Sequence, residues 1–320
     1  MRPLPDPRAT PLRLGIDLGG TKVEGLLLRQ PRDHVFEELL RIRVPTDRER
    51  GYDAVIETVA SLVERIAGEA AIDLDAVPVG VGMPGGLRRD GCVKNSNTTC
   101  LNGRAFRSDL QARLGRALLF DNDANCFALA EANYGAGRAW REGLVFGVIV
   151  GTGVGGGMVM GGSVWSGPHG IAGEWGHHAV YASAPEDAAT AHRGCYCGKT
   201  GCVEAYVSGP AVEADYLRRS GRAASMIEIA ATAGSDRHAR AACEVLVDAF
   251  ARGLANVVNI VDPSVIVVGG GLSNIGLLLE EGRKRMAEFV FDEDLTTPVL
   301  RHELGDSAGV LGAALVGSGR

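Results

Sequence analysis

Three cysteines within eight residues, Cys195-Tyr196-Cys197-Gly198-Lys199-Thr200-Gly201-Cys202, form the densest metal-binding pattern in the chain. A C-x-C-x4-C spacing lets three thiolates wrap one tetrahedral ion while the glycines supply the turns. The fourth ligand is His177, upstream in Gly173-Glu174-Trp175-Gly176-His177-His178. A redox pair or unrelated buried thiols would not require such crowding. A second kind of chemistry lies in two glycine turns, Asp17-Leu18-Gly19-Gly20-Thr21-Lys22 and Gly151-Thr152-Gly153-Val154-Gly155-Gly156-Gly157. Bare glycines let backbone N–H groups approach phosphate oxygens, the hydroxyls of Thr21 and Thr152 add donors, and Asp17 is placed to hold Mg²⁺. The plainer reading of the first turn is a β-turn with an aspartate cap. The second is neither a Gly-Lys-Ser/Thr phosphate loop nor a dinucleotide turn, because strand residues follow it. Together the two turns read as a two-jawed phosphate clamp. A third group, Asp121-Asn122-Asp123-Ala124-Asn125, ends a strand, where a carboxylate can accept a proton from a substrate hydroxyl. Helix capping explains one of these polar residues but not three.

The elements that must position these groups follow from periodicity. Leu12 to Leu28 reads as a buried hairpin around Gly19-Gly20, and Leu144 to Met160 repeats the pattern around Gly151–Gly157. The recurrence points to a degenerate duplication, one hairpin per lobe. Helical spacing of Val55, Val59, Leu62, Val63 and Ile66 predicts a helix over 51–67, and a longer one covers 241–261. Strands are expected at 77–81, 117–120 and 264–268, the last running into Gly269-Gly270-Gly271, with a final helix over 307–315. Strands alternating with helices imply α/β lobes. The division expected is a disordered tail at 1–11, a first lobe at 12–121 with residues 304–320 packing back on it, and a second lobe at 122–303 carrying the metal loop.

Composition limits the partners. A chain of 320 residues with a net charge of −6 and no basic stripe is not patterned for nucleic acid. No apolar run approaches the roughly 20 residues of a membrane span. Seven cysteines without a secretory leader fit a reducing cytoplasm. Forty-five glycines, about twice the usual ~7%, imply many close backbone approaches.

In this order and over about Leu14 to Val316, these motifs resemble the ROK family of sugar kinases and regulators. Asp17–Lys22 is similar to the family's first phosphate motif and Gly151–Gly157 to its second. Glu174 to His177, followed by Cys195 to Glu204, is similar to its zinc and sugar signature. The resemblance implies a two-lobed, actin-like (ribonuclease-H-like) ATPase fold with the active site in the cleft. It implies ATP and Mg²⁺ as cofactors, a structural Zn²⁺ on His177, Cys195, Cys197 and Cys202, and a hexose substrate. Asp123 becomes the catalytic base. Asn97, Asn122, Glu174, His177 and Glu204 become sugar contacts, Gly270 and Gly271 lie near the adenosine, and a homodimer is expected. The regulators of the family carry a winged helix ahead of this core, where here about eleven proline-rich residues stand. The 18 positions from His177 to Cys195 exceed the shortest family spacing and read as a surface insertion over 182–191. Val93 to Gly103 resembles the fructokinase (manno-fructokinase) branch, making fructose the expected acceptor. N-acetylglucosamine and glucose kinases of the same family are the alternative.

Overall fold

The computed structural model describes residues 2–5, 10–32, 35–181, 193–292 and 294–316. The first lobe is built on strands β1 (Leu12–Leu18), β2 (Lys22–Arg32), β3 (Val35–Pro45), β4 (Val79–Met83) and β7 (Leu119–Asn122). A two-residue hairpin, β5 (Gly86–Leu87) with β6 (Val93–Lys94), stands beside them, and helices α1 (Tyr52–Glu69) and α2 (Phe106–Leu114) cover one face. Helix α3 (Asp123–Tyr134) leads to β8 (Leu144–Val150), β9 (Val154–Met160) and β10 (Ser163–Val164). Four helices follow: α4 (Glu204–Val207), α5 (Gly209–Ser220), α6 (Met226–Thr232) and α7 (Arg237–Val261). Strand β11 (Val265–Gly269), helix α8 (Arg283–Ala287), strand β12 (Val299–Arg301) and helix α9 (Ala308–Leu315) complete the described chain.

The two five-stranded sheets share a plan. Their orders are β3-β2-β1-β4-β7 and β10-β9-β8-β11-β12. In each, an antiparallel hairpin turns at a glycine cluster and its first strand pairs in parallel with the next, Leu14 with Val79 and Val265 with Val145. This is the structural form of the sequence duplication.

Helices α9 and α3 lie between the sheets and bring their N-termini to the same region. A Cβ at Gly80 of β4 would stand 1.9 Å from the Ala313 carbonyl oxygen of α9. One at Gly312 would stand 1.7 Å from the Cys126 carbonyl oxygen of α3. Only glycine permits helices to approach sheet and helix this closely. Part of the glycine excess is therefore spent on packing these two helices and not on ligand approach. The two helices are also joined by a carboxylate. Glu131 of α3 is fully buried and accepts backbone N–H bonds from Ala136 at 2.9 Å and Leu304 at 2.9 Å. Glu303 adds a third donor at 3.1 Å. Glu131 thereby fixes the chain that enters α9, a role its sequence context did not announce.

Several expectations shift. The strand expected at 77–81 lies at Val79–Met83, and that expected at 117–120 at Leu119–Asn122. Strand β3 was not legible because it is a sheet edge with a broken register against β2, so its apolar alternation is poor. The tail is not wholly free: Arg2 donates its N–H to the Gly115 carbonyl oxygen and accepts from Ala117, extending the first lobe. The rest of that tail (1, 6–9), the insertion at 182–191 and the C-terminal four residues lie outside the described residues.

Candidate active site and metal centre

Strand β1 ends at Asp17–Leu18, and the chain turns at once through Gly19, Gly20 and Thr21. The Gly19 N–H donates to the Lys22 carbonyl oxygen at 3.0 Å, closing the turn. Thr46, at the end of β3, braces it from the other side, donating its hydroxyl to the Gly19 carbonyl oxygen at 2.8 Å. Lys22 stands 3.9 Å from buried Glu24. The Asp17 carboxylate reaches the N-terminus of α9, where a Cβ on Gly309 would lie 2.8 Å from Oδ2. Burial raises its pKa to about 7, with the charges of Asp123 and Glu24 adding to the shift and Lys22 opposing it. Burial and neighbouring like charges thus make this acid easier to protonate than a surface aspartate.

Strand β7 delivers Asp121 and Asn122, and Asp123 is the first residue of α3 rather than the last of the strand. Capping belongs to Asn122: its Oδ1 accepts from the Ala124 N–H at 2.8 Å, and its Nδ2 donates to the Gly85 carbonyl oxygen at 2.8 Å. Asp121 is tied up by the Asn125 amide at 2.7 Å. Among the described residues Asp123 is left with only its own helix start, accepting from Ala124. Burial lifts its pKa to about 6, opposed by that N–H and reinforced by the charge of Glu174. A carboxylate ready to gain and lose a proton near neutrality is what a general base requires.

The second glycine turn meets this cluster from the other lobe. The Gly151 N–H donates to the Gly153 carbonyl oxygen at 2.9 Å, leaving Thr152 exposed at the tip. Gly155 and Gly156 are not bare toward solvent: Cβ atoms there would meet Ala124 at 3.0 Å and Trp175 at 2.6 Å. Gly271 lies beside Gly151, its N 3.7 Å from where a Gly151 Cβ would stand. Gly270 holds φ at 80°, left-handed backbone that opens the turn after β11.

Glu174 and His177 flank a short 3₁₀ turn that Trp175 anchors to β9, its indole N–H donating to the Gly155 carbonyl oxygen at 2.9 Å. Glu204 starts α4 and accepts the Val154 N–H at 2.8 Å, so it also pins the second glycine turn. Asn97 comes from the first lobe, its Oδ1 3.9 Å from a Cβ position on Gly20.

His177, Cys195, Cys197 and Cys202 converge, with all four ligand atoms within 4.8 Å of one another. A zinc tetrahedron with Zn–S of about 2.3 Å and Zn–N of about 2.0 Å has S···S edges near 3.8 Å and S···N edges near 3.5 Å. The Cys197–Cys202 sulfurs lie 3.7 Å apart, and Cys195 Sγ lies 3.6 Å from His177 Nδ1. The donor set fits such an ion. His177 was expected to contact the sugar as well as the metal, but the nitrogen left for a sugar hydroxyl, Nε2, is paired with the Tyr196 hydroxyl at 3.1 Å.

Two lobes of matching topology, with glycine turns and two helix N-termini meeting at an acidic pair, define an actin-like phosphotransferase fold. Residues 13–318 match the model of the ROK family, and the chain belongs to that family. It is 36% identical over 315 residues to an N-acetyl-D-glucosamine kinase of Vibrio vulnificus (strain YJ016), covering 94% of this chain and 98% of the relative. The corresponding kinase of Vibrio cholerae is 37% identical over 316 residues, with the same coverage. Among solved structures, a ROK hexokinase from Thermus thermophilus superposes with a TM-score of 0.80 at 32% identity, covering 95% of this chain and 97% of its own. A ROK glucokinase from Streptomyces griseus, solved with glucose and AMPPNP, gives 0.74 at 25% identity over 96% and 100%. Within the family the chain stands with the sugar kinases.

Proposed function

We propose that this chain transfers the γ-phosphoryl group of ATP to a hydroxyl of N-acetyl-D-glucosamine, with Asp123 as general base. The observation that carries the reading is the Asp123 carboxylate, poised near pH 6 at the N-terminus of α3 between the two glycine turns. In the reaction the sugar oxygen forms its bond to γ-phosphorus as the bond to the β-phosphate oxygen breaks. That electron pair leaves on ADP, and the hydroxyl proton goes to Asp123. Positioning and electrostatics supply most of the rate in such transfers. Mg²⁺, for which Asp17 has the right hard oxygen, supplies neutralisation of the phosphates when bound. Gly19–Thr21, Lys22 and Gly151–Gly153 face the phosphates, and Gly270–Gly271 the nucleoside. Asn97, Asn122, Glu174 and Glu204 orient the sugar, and His177, whose Nε2 is paired with the Tyr196 hydroxyl, supports them from the metal loop. His177, Cys195, Cys197 and Cys202 would hold a zinc ion, which would fix the loops that carry Glu174 and Glu204.

The acceptor departs from the fructose that Val93–Gly103 suggested. That segment is a loop around β6 whose sequence is read locally, whereas the similarity to the Vibrio N-acetyl-D-glucosamine kinases spans almost the whole chain. Glucose is the second reading, supported by the Streptomyces griseus glucokinase. We expect kcat/KM with saturating MgATP to rank N-acetylglucosamine first among it, glucose, mannose and fructose, by tenfold or more. A tenfold preference for fructose would restore the local reading and remove this one.

A further inference from the structure

Beyond β3 the chain makes an unusual turn. Thr46, completely buried, is bound to the first glycine turn through its hydroxyl on Gly19 and its N–H on the Thr21 carbonyl oxygen at 3.0 Å. Asp47 then adopts left-handed backbone, φ 56°, a strain that a non-glycine residue keeps only where the surroundings demand it. The turn lays Arg48 back over Gly20. Its Nη1 is 3.1 Å from the point where a Cβ on Gly20 would stand. The same point is 3.9 Å from Asn97 Oδ1 and 3.9 Å from Thr98 Oγ1. Gly20 thus faces a small space walled by a guanidinium, an amide and a hydroxyl, and any side chain there would fill it.

Two features show that this space is not already satisfied. Thr98 is fully buried, yet its hydroxyl has no hydrogen-bond partner among the described residues. Arg48 makes its ion pair, at 3.3 Å to exposed Glu49, through Nε, away from the two terminal nitrogens. An unpaired buried hydroxyl is destabilising, because it has given up its water without gaining a partner. A half-exposed arginine held over a glycine turn by strained backbone likewise needs a reason beyond surface charge.

We infer that Arg48 binds the phosphoryl group in transit, meeting it on the side opposite the turn amides, with the unpartnered Thr98 hydroxyl facing the same space. This rests on the sugar-kinase reading and deepens it. Arginine presents a planar, always-charged fork that matches phosphate oxygens, and such a cation gains most where negative charge moves between donor and acceptor. Asn97 beside it belongs to the sugar contacts, so the space lies where sugar hydroxyl and γ-phosphate meet. The aspartates 17 and 123 supply no positive charge there, and Lys22 shares its charge with Glu24, 3.9 Å away.

The test compares nucleotides with and without the third phosphate. By calorimetry, Arg48→Ala should weaken AMPPNP binding tenfold or more in the presence of Mg²⁺ and sugar, while ADP affinity changes by less than twofold. In turnover, kcat should fall about 10²-fold, with the sugar KM within threefold of wild type. Thr98→Val, of the same shape, should move both quantities the same way by a few-fold. Equal loss for AMPPNP and ADP would make Arg48 a brace of the turn, and no loss for either would make it a surface residue. Either outcome overturns the assignment. If wild type discriminates the nucleotides through Arg48 but phosphorylates no sugar, the inference stands and the sugar-kinase reading fails.

Discussion

Replacing Asp123 by asparagine should lower kcat by about 10²–10⁴ while sugar and ATP still bind. Asparagine keeps the shape, and its Oδ1 can still accept the Ala124 N–H that Asp123 accepts at 2.8 Å. It cannot take a proton. The pH dependence follows from the pKa of about 6: wild-type kcat should fall as pH drops through that value, because a protonated Asp123 has no capacity left for the substrate's proton. Stability should respond with the opposite sign. The fold favours the protonated form of Asp123, so its contribution is fully present below the ordinary carboxylate pKa and is lost as pH rises through about 6. At pH 7 the ionised group opposes folding, through burial first and the neighbouring charge of Glu174 second. Asp123→Asn should therefore melt no lower than wild type at pH 7 and gain a few degrees. A variant that keeps wild-type turnover removes Asp123 from the chemistry.

The second large effect concerns the metal centre. Cys197→Ser should take the zinc content from about one per chain toward none, since four matched donors become three and a poor hydroxyl ligand. Sugar KM should rise tenfold or more, because His177 is itself a ligand and Glu204 lies two residues beyond Cys202. The nucleotide should not be spared either. A clamp standing apart from the metal loop would leave the ATP KM unchanged, but Glu204 holds the Val154 N–H of the second glycine turn at 2.8 Å. Loosening that bond should raise the ATP KM several-fold, less than the roughly tenfold or more that losing a charge-assisted hydrogen bond outright costs. Circular dichroism would confirm that the variant remains folded. A folded, zinc-free Cys197→Ser with wild-type KM for both substrates would reduce the metal to a tie on a remote loop.

How much of this was legible in the sequence depended on whether the chemistry was local. Cys195, Cys197 and Cys202 announce themselves because their spacing is short and no core needs three thiols together. The paired hairpins were legible because a strand, a glycine turn and a strand leave one pattern, and the pattern occurs twice. Four things escaped for physical reasons. Glu131 looks like any surface glutamate of a helix, and only the return of residues 303–304 to its side chain shows why a carboxylate is buried there. Gly80 and Gly312 stood out from no other glycine in the sequence, and only the structure shows helix carbonyls as their neighbours in space. Arg48 is 28 positions from Gly20, and nothing short of the left-handed Asp47 predicts that it folds back. Tyr196 was visible only as a spacer between two ligands, yet it occupies the nitrogen of His177 that a sugar hydroxyl was expected to take.

The most direct test of the account follows the phosphoryl group itself. Phosphorus NMR of the wild-type protein with MgATP and N-acetylglucosamine should show a phosphomonoester signal growing in step with ADP, one for one. Without sugar, ADP formation should be negligible, and with Asp123→Asn both signals should stay near baseline over the same time. Release of inorganic phosphate in place of the sugar ester, or no consumption of ATP with any of the four sugars, would contradict the proposal that this cleft transfers phosphate to a sugar.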